Sequence, residues 1–78
     1  MGVAEELADA LAVDVLKAVD ITGDLDLVDD LANLMGETSQ TAEEAFLTAV
    51  RVRRANTRAR EMLLEKMRAF KAAKPEPT

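Results

Sequence analysis

Apolar residues recur at three- to four-residue intervals along most of the chain, which is the spacing of one face of an α-helix. Two positions interrupt this pattern: Gly23, in the segment ITGD, and Gly36, which begins the polar link GETSQ. The pattern therefore predicts an all-α fold with helices over residues about 3–20, 24–35 and 41–73.

Local signals set the predicted helix ends. Glycine is favoured just after a helix, so we expect Gly23 to end the first one. Thr41 stands three residues before Glu44, a spacing in which each side chain caps the other's backbone N–H, so the third helix is predicted to begin there. Residues 1–74 should form a single helical domain, and residues 75–78 a disordered tail.

A heptad pattern of apolar residues continues across Gly23, so the first two helices can form one kinked arm that faces the third helix. In the first arm the seam positions are Ala4, Leu7, Leu11, Asp14, Ala18, Ile21, Leu25, Val28, Ala32 and Met35. In the second arm they are Ala42, Ala45, Ala49, Val52, Asn56, Ala59, Leu63, Lys66, Phe70 and Ala73. This pattern predicts a long antiparallel helical hairpin kinked near Gly23, and two hairpins would assemble as a dimeric four-helix bundle.

A three-helix bundle is the alternative arrangement. In it the first helix folds back beside the acidic start of the third helix, and the half of the third helix after Arg60 is left uncovered. In the long hairpin, Asp9 instead approaches Arg68 and Lys71, so that opposite charges meet. The charge pattern therefore favours the hairpin.

Charge is divided unevenly along the chain, whose net charge is −5. Residues 1–44 contain 12 acidic residues and one basic residue, whereas residues 45–78 contain 3 acidic and 9 basic residues. The block RVRRANTRAR, residues 51–60, holds five arginines and no acid. This asymmetry is the most informative feature of the composition.

The arginine block has three readings, and a surface that faces a partner protein is one of them. Arg51, Arg54 and Arg58 share a helical face and are candidates for intramolecular ion pairs with the aspartates of residues 20–30, which is the favoured reading. The same face is a candidate for binding the phosphates of a nucleic acid.

Catalytic and metal-binding chemistry lacks its usual residues. The chain has no His and no Cys, and Ser39 is its only serine, so no activated nucleophile is expected. The aspartate-rich segment DITGDLDLVDD has Leu25 and Leu31 where an EF-hand requires glycine and glutamate, so it predicts a solvated acidic face. We expect no enzymatic activity, no cofactor and no metal site.

Cellular location follows from apolar run length. The longest uninterrupted apolar run covers only residues 10–13, far short of the roughly 20 residues that cross a membrane. The N-terminal residues MGVAEELAD contain no basic segment of the kind that begins a secretory signal. No membrane association and a cytoplasmic location are therefore expected.

Many apolar residues lie outside both heptad seams, and a lone hairpin would leave them in contact with water. These are Val13, Leu16, Val19, Leu27, Leu31, Leu34, Leu47, Val50, Met62, Leu64 and Met67. Unless these residues thicken the chain's own core, the surplus predicts a homo-oligomer, a protein partner or both, with Met62, Leu63, Met67 and Phe70 as the contact.

The predicted function is a small non-enzymatic protein–protein interaction module: an adaptor, a regulator or an assembly chaperone. One alternative is a dimeric helical hairpin that binds nucleic acid through the arginine block. The other is a structural subunit of a larger assembly. The fold alone does not decide among the three.

Overall fold

The computed structural model describes residues 2–73. Within this range it contains three α-helices: α1 (Val3–Thr22), α2 (Leu27–Gly36) and α3 (Gln40–Ala73). The all-α class and the three predicted helices are confirmed. The predicted tail at residues 75–78, and Met1 and Lys74 at the ends of the predicted domain, lie outside the described residues.

The turn between α1 and α2 is built by local hydrogen bonds. Gly23 ends α1 in the left-handed region, at φ 72°, and its N–H donates to the carbonyl of Val19 at 2.8 Å. The side chain of Asp24 accepts from the N–H of Asp26 at 3.0 Å. This Asx turn delays the start of α2 to Leu27, three residues after the predicted start.

The start of α3 differs from the prediction. The helix begins at Gln40, and the hydroxyl of Ser39 accepts from the N–H of Ala42 at 3.1 Å. A serine immediately before the first turn caps an N–H three residues ahead. The predicted cap formed by Thr41 and Glu44 is therefore wrong, because Ser39 fulfils this role two residues earlier.

The hydrophobic core is small and is rich in alanine. Its buried residues are Ala8, Ala12 and Val15 of α1, Val28 and Ala32 of α2, and Phe46 and Val50 of α3. Phe46 and Val50 are the largest fully buried side chains, with 0% and 1% of their surface exposed. The alanines leave room for the Phe46 ring, whose burial contributes roughly 3 kcal/mol to folding.

α1 and the first half of α3 lie side by side and run in the same direction. Near the start of both helices, Glu5 and Ala45 line one groove. Near the end of α1, Asp20 lines another groove together with Arg58. α2 connects the end of α1 back to the start of α3, so the three helices pack as in the three-helix arrangement.

The ion pairing of Asp9 differs from the prediction. Its carboxylate pairs with Arg53 at 2.6 Å. Arg68 is about 22 Å farther along the straight axis of α3 than Arg53, at 1.5 Å per residue. The predicted approach of Asp9 to Arg68 and Lys71 is therefore wrong, because α1 packs against the first half of α3.

The heptad seams do not coincide with the observed core. Leu7, Ile21 and Leu25 were predicted to lie at the seam, yet they are 67%, 84% and 80% exposed. α1 instead buries the neighbouring face, which carries smaller side chains beside Phe46. In α2, by contrast, two predicted seam residues are buried in the core: Val28 and Ala32.

Candidate protein-interaction surface

The C-terminal half of α3 extends beyond the three-helix bundle. We call residues 59–73 the projecting segment. The molecule measures 65 × 30 × 13 Å as a result, and every residue from Arg54 to Ala73 is exposed. The buried core of the described chain ends at Val50, so the projecting segment contributes no buried side chain to it.

Large apolar side chains follow one face of α3 and continue onto the projecting segment. We call this face the α3 stripe. It consists of Val52, Ala59, Met62, Leu63, Met67 and Phe70. The predicted contact residues Met62, Leu63, Met67 and Phe70 are 63%, 59%, 49% and 62% exposed. The structure thus places all four on one exposed helical face, and their binding to a partner stays a prediction.

Leu64 marks the edge of this face. It is also exposed, at 54% against 59% for Leu63. At about 100° per residue, Leu64 points about 120° away from Val52 and Phe70 around the helix axis, whereas Leu63 points within about 20° of them, so Leu64 lies outside the α3 stripe. The chain therefore offers two neighbouring leucines that differ mainly in the direction in which they point.

A groove adjoins the α3 stripe where α1 packs against α3. This α1–α3 groove has a volume of about 410 Å³. It is lined by Glu5, Asp9, Thr41, Glu44, Ala45, Thr48, Ala49 and Val52. Ala45, Ala49 and Val52 give it an apolar floor, while Glu5 and Glu44 add carboxylates. Val52 belongs to both the groove and the stripe, so the two surfaces are continuous.

The one salt bridge within residues 2–73 lies beside this groove. The guanidinium of Arg53 donates to both oxygens of the Asp9 carboxylate, at 2.6 and 2.7 Å. These hydrogen bonds hold the pKa of Asp9 below its ordinary value of 3.8, and partial desolvation opposes the effect. The same bonds raise the pKa of Arg53. The pair fixes the position of α1 along α3.

The other arginines of the block are placed differently. Arg51, Arg54 and Arg58 are exposed, and they form no salt bridge with any residue from 2 to 73. Arg54 and Arg58 line a shallow groove that Asp20 also lines, without a salt bridge to it. Whether these three arginines serve ion pairing or nucleic-acid binding stays a prediction, since only Arg53 is paired in this part of the chain.

Other candidate chemistry is sparse in the described residues. From Gly2 to Ala73, no three His, Cys, Asp or Glu side chains are grouped so as to hold a metal ion. The hydroxyl of Ser39 is engaged as the cap of α3. None of the helices in that range combines the length and the apolar character needed to cross a membrane.

Sequence reasoning missed the α1–α3 groove. Val52 was assigned to the intramolecular seam, and Asp9, which also lines the groove, to pairing with the far end of α3. The available signal was the apolar spacing of Phe46 and Val50, which marks a second face of α3 turned away from Val52.

Comparison with known proteins does not extend this description. The chain shows no significant similarity to any known protein family, to any curated protein or to any solved structure.

Proposed function

We propose that this protein is a small non-enzymatic protein–protein interaction module, of the adaptor, regulator or assembly-chaperone kind, which associates with copies of itself through the α3 stripe. The observation that carries the proposal is the exposure of Leu63 and Met67, beside Met62 and Phe70, on a helix segment outside the protein's own core. An apolar face of this kind on a soluble chain is typical of an interaction site.

The energetics support a covered stripe. An isolated helix of roughly 15 residues is marginal in water, so the projecting segment gains stability from packing against another chain. Full burial of a leucine or methionine side chain contributes roughly 1.5–3 kcal/mol. In a symmetric dimer both copies of each stripe residue are buried, so each residue contributes to the free energy of association twice. Methionines such as Met62 and Met67 adapt readily to a facing surface.

The two leucines at positions 63 and 64 provide a matched test. Leu63→Asp places a charge on the α3 stripe, whereas Leu64→Asp places the same charge beside it. Both side chains are largely exposed in the single chain, so neither change should unfold the bundle. We expect Leu63→Asp to weaken self-association roughly 100-fold or more, and Leu64→Asp, on the flank of the stripe, to weaken it far less.

The measurement is solution mass by light scattering after size exclusion, at two protein concentrations and two salt concentrations. Wild type and Leu64→Asp should have a mass above the monomer value of 8.5 kDa that rises with concentration. Leu63→Asp should remain monomeric. A wild type that is monomeric under all four conditions would overturn the proposal, as would equal effects of the two substitutions.

A second candidate function is nucleic-acid binding through Arg51, Arg54 and Arg58. It is favoured by their exposure on one helical face without a salt bridge to the rest of residues 2–73. It predicts that labelled RNA or DNA binds with an affinity that falls steeply with salt. Arg54→Ala should reduce the slope of this dependence by about one, whereas Arg60→Ala, on another face, should not. Absence of binding at low salt would exclude this function.

A further inference from the structure

On the basis of the proposed self-association, we infer that the second copy lies antiparallel, so that the projecting segment of each copy occupies the α1–α3 groove of the other. The two α3 helices then cross at Ala59, which stands near the two-fold axis. Each copy both presents a helix and receives one. The partner of the groove is thus a second copy of this chain, bound through a defined segment.

The first argument is the extent of the apolar face. The apolar face of α3 is longer than the α3 stripe: it begins at Ala45 in the groove and ends at Ala73, the last residue of α3. Ala59 is the midpoint of this face. An antiparallel pair centred on Ala59 places each projecting stripe over the other copy's groove floor, with Phe70 beside Thr48. A parallel pair would instead set projecting segment against projecting segment and groove floor against groove floor.

The second argument is charge. The groove is lined by three carboxylates, those of Glu5, Asp9 and Glu44, and by no base. The projecting segment carries four bases, Arg60, Lys66, Arg68 and Lys71, against two acids. In the antiparallel pair, the flank of α3 that carries Lys71 is turned toward α1 of the second copy, at the level of Glu5. Since Arg53 already holds Asp9, the carboxylate of Glu5 is available on the α1 side of the groove.

The third argument is the mutual repulsion that other pairings create. A parallel pair sets the two copies of every α3 residue at the same level, so Lys66, which lies on the face of the α3 stripe at about 100° per residue, would meet its own equivalent. Like charges in such positions disfavour association. The antiparallel pair separates the two copies of Lys66 by about 21 Å along the helix axis, at 1.5 Å per residue.

Single cysteines test the arrangement directly, because the chain has no cysteine of its own. A disulfide requires Cα atoms within roughly 7 Å. Under mild oxidation, Ala59→Cys should form a covalent dimer, since the two copies meet at the axis. Ala73→Cys should not, because its two copies lie about 40 Å apart. A parallel pair would cross-link at both positions.

A charge exchange tests the contact with the groove. Glu5→Lys and Lys71→Glu should each weaken self-association roughly threefold or more, because the contact occurs twice in the dimer. The double variant should restore the wild-type affinity. Glu6→Lys is the matched control, since Glu6 is exposed on α1 without lining the groove, and it should have little effect.

The outcomes separate this inference from the proposed function. Cross-linking at both Ala59 and Ala73, or at neither in a protein that light scattering shows to be dimeric, would overturn the antiparallel arrangement while leaving self-association through the stripe intact. Failure of the double charge variant to recover affinity would likewise overturn the groove contact alone. A monomeric wild type would overturn both proposals.

Discussion

The guanidinium of Arg53 donates two hydrogen bonds to the carboxylate of Asp9, from Nε to Oδ1 at 2.6 Å and from Nη2 to Oδ2 at 2.7 Å. The two residues are 44 positions apart in the sequence. A bidentate arginine–carboxylate contact is directional as well as attractive, so it specifies how α1 is placed along α3. The geometry of the α1–α3 groove depends on that placement.

This pair makes stability depend on pH. Because the pKa of folded Asp9 lies below its ordinary value of 3.8, the carboxylate stabilises the fold above that value. The contribution is lost as the pH falls through the lower, folded pKa. Asp9→Asn should therefore lower the melting temperature modestly at pH 7, and the difference from wild type should vanish in strong acid.

Circular dichroism melts at a series of pH values provide the measurement. Asp14→Asn is the control, since Asp14 is an exposed carboxylate on the same helix and has no salt bridge within the described residues. An equal loss of stability at pH 7 in both variants would contradict a specific role for Asp9 and Arg53.

Two valines on α3 separate the core from the stripe. Val50 is 1% exposed and Val52 is 61% exposed. In the monomeric Leu63→Asp background, Val50→Ala should lower the free energy of unfolding by about 2 kcal/mol, because it leaves a cavity beside Phe46. Val52→Ala should change it by less than about 0.5 kcal/mol. Urea unfolding measures both, and similar losses would contradict the observed orientation of α3.

The turn at Gly23 gives a prediction about the backbone. A β-carbon at this position would meet no atom within 4 Å, so the cost of Gly23→Ala comes from the φ of 72° alone. We expect a loss of about 1 kcal/mol in the free energy of unfolding. Gly23→Asn should cost less, because asparagine tolerates this conformation better. Equal stability of the glycine and alanine forms would show that the turn relaxes to another shape.

The helices could be predicted from the sequence because their ends carry local signals. Gly23 supplies the left-handed cap of α1, and the apolar spacing of α3 continues without Gly or Pro to Ala73. Such signals act within one or two turns and need no knowledge of the rest of the fold.

The packing could not be predicted in the same way, because α1 and α3 are apolar on more than one face. The heptad analysis chose Leu7 and Ile21, whereas the fold buries Ala8 and Val15. Side-chain volume decides which face is buried, because the Phe46 ring fills the space that small residues on α1 leave. The spacing of apolar residues along the sequence carries no information about side-chain volume.

The candidate surface was partly predictable. Met62, Leu63 and Met67 stand out in the sequence as apolar residues in the basic half of the chain. The α1–α3 groove was not predictable, since Glu5 and Val52 come together only once α1 runs beside the first half of α3.

Hydrogen exchange of the projecting segment, followed at low and high protein concentration, tests the central claim most directly. An uncovered helix end frays and exchanges quickly, whereas a helix packed in a groove is protected. We predict that amides of residues 59–73 become more protected as the concentration rises in wild type and in Leu64→Asp, and that Leu63→Asp shows no such change. Exchange in residues 59–73 that is independent of concentration in wild type would contradict self-association through the α3 stripe.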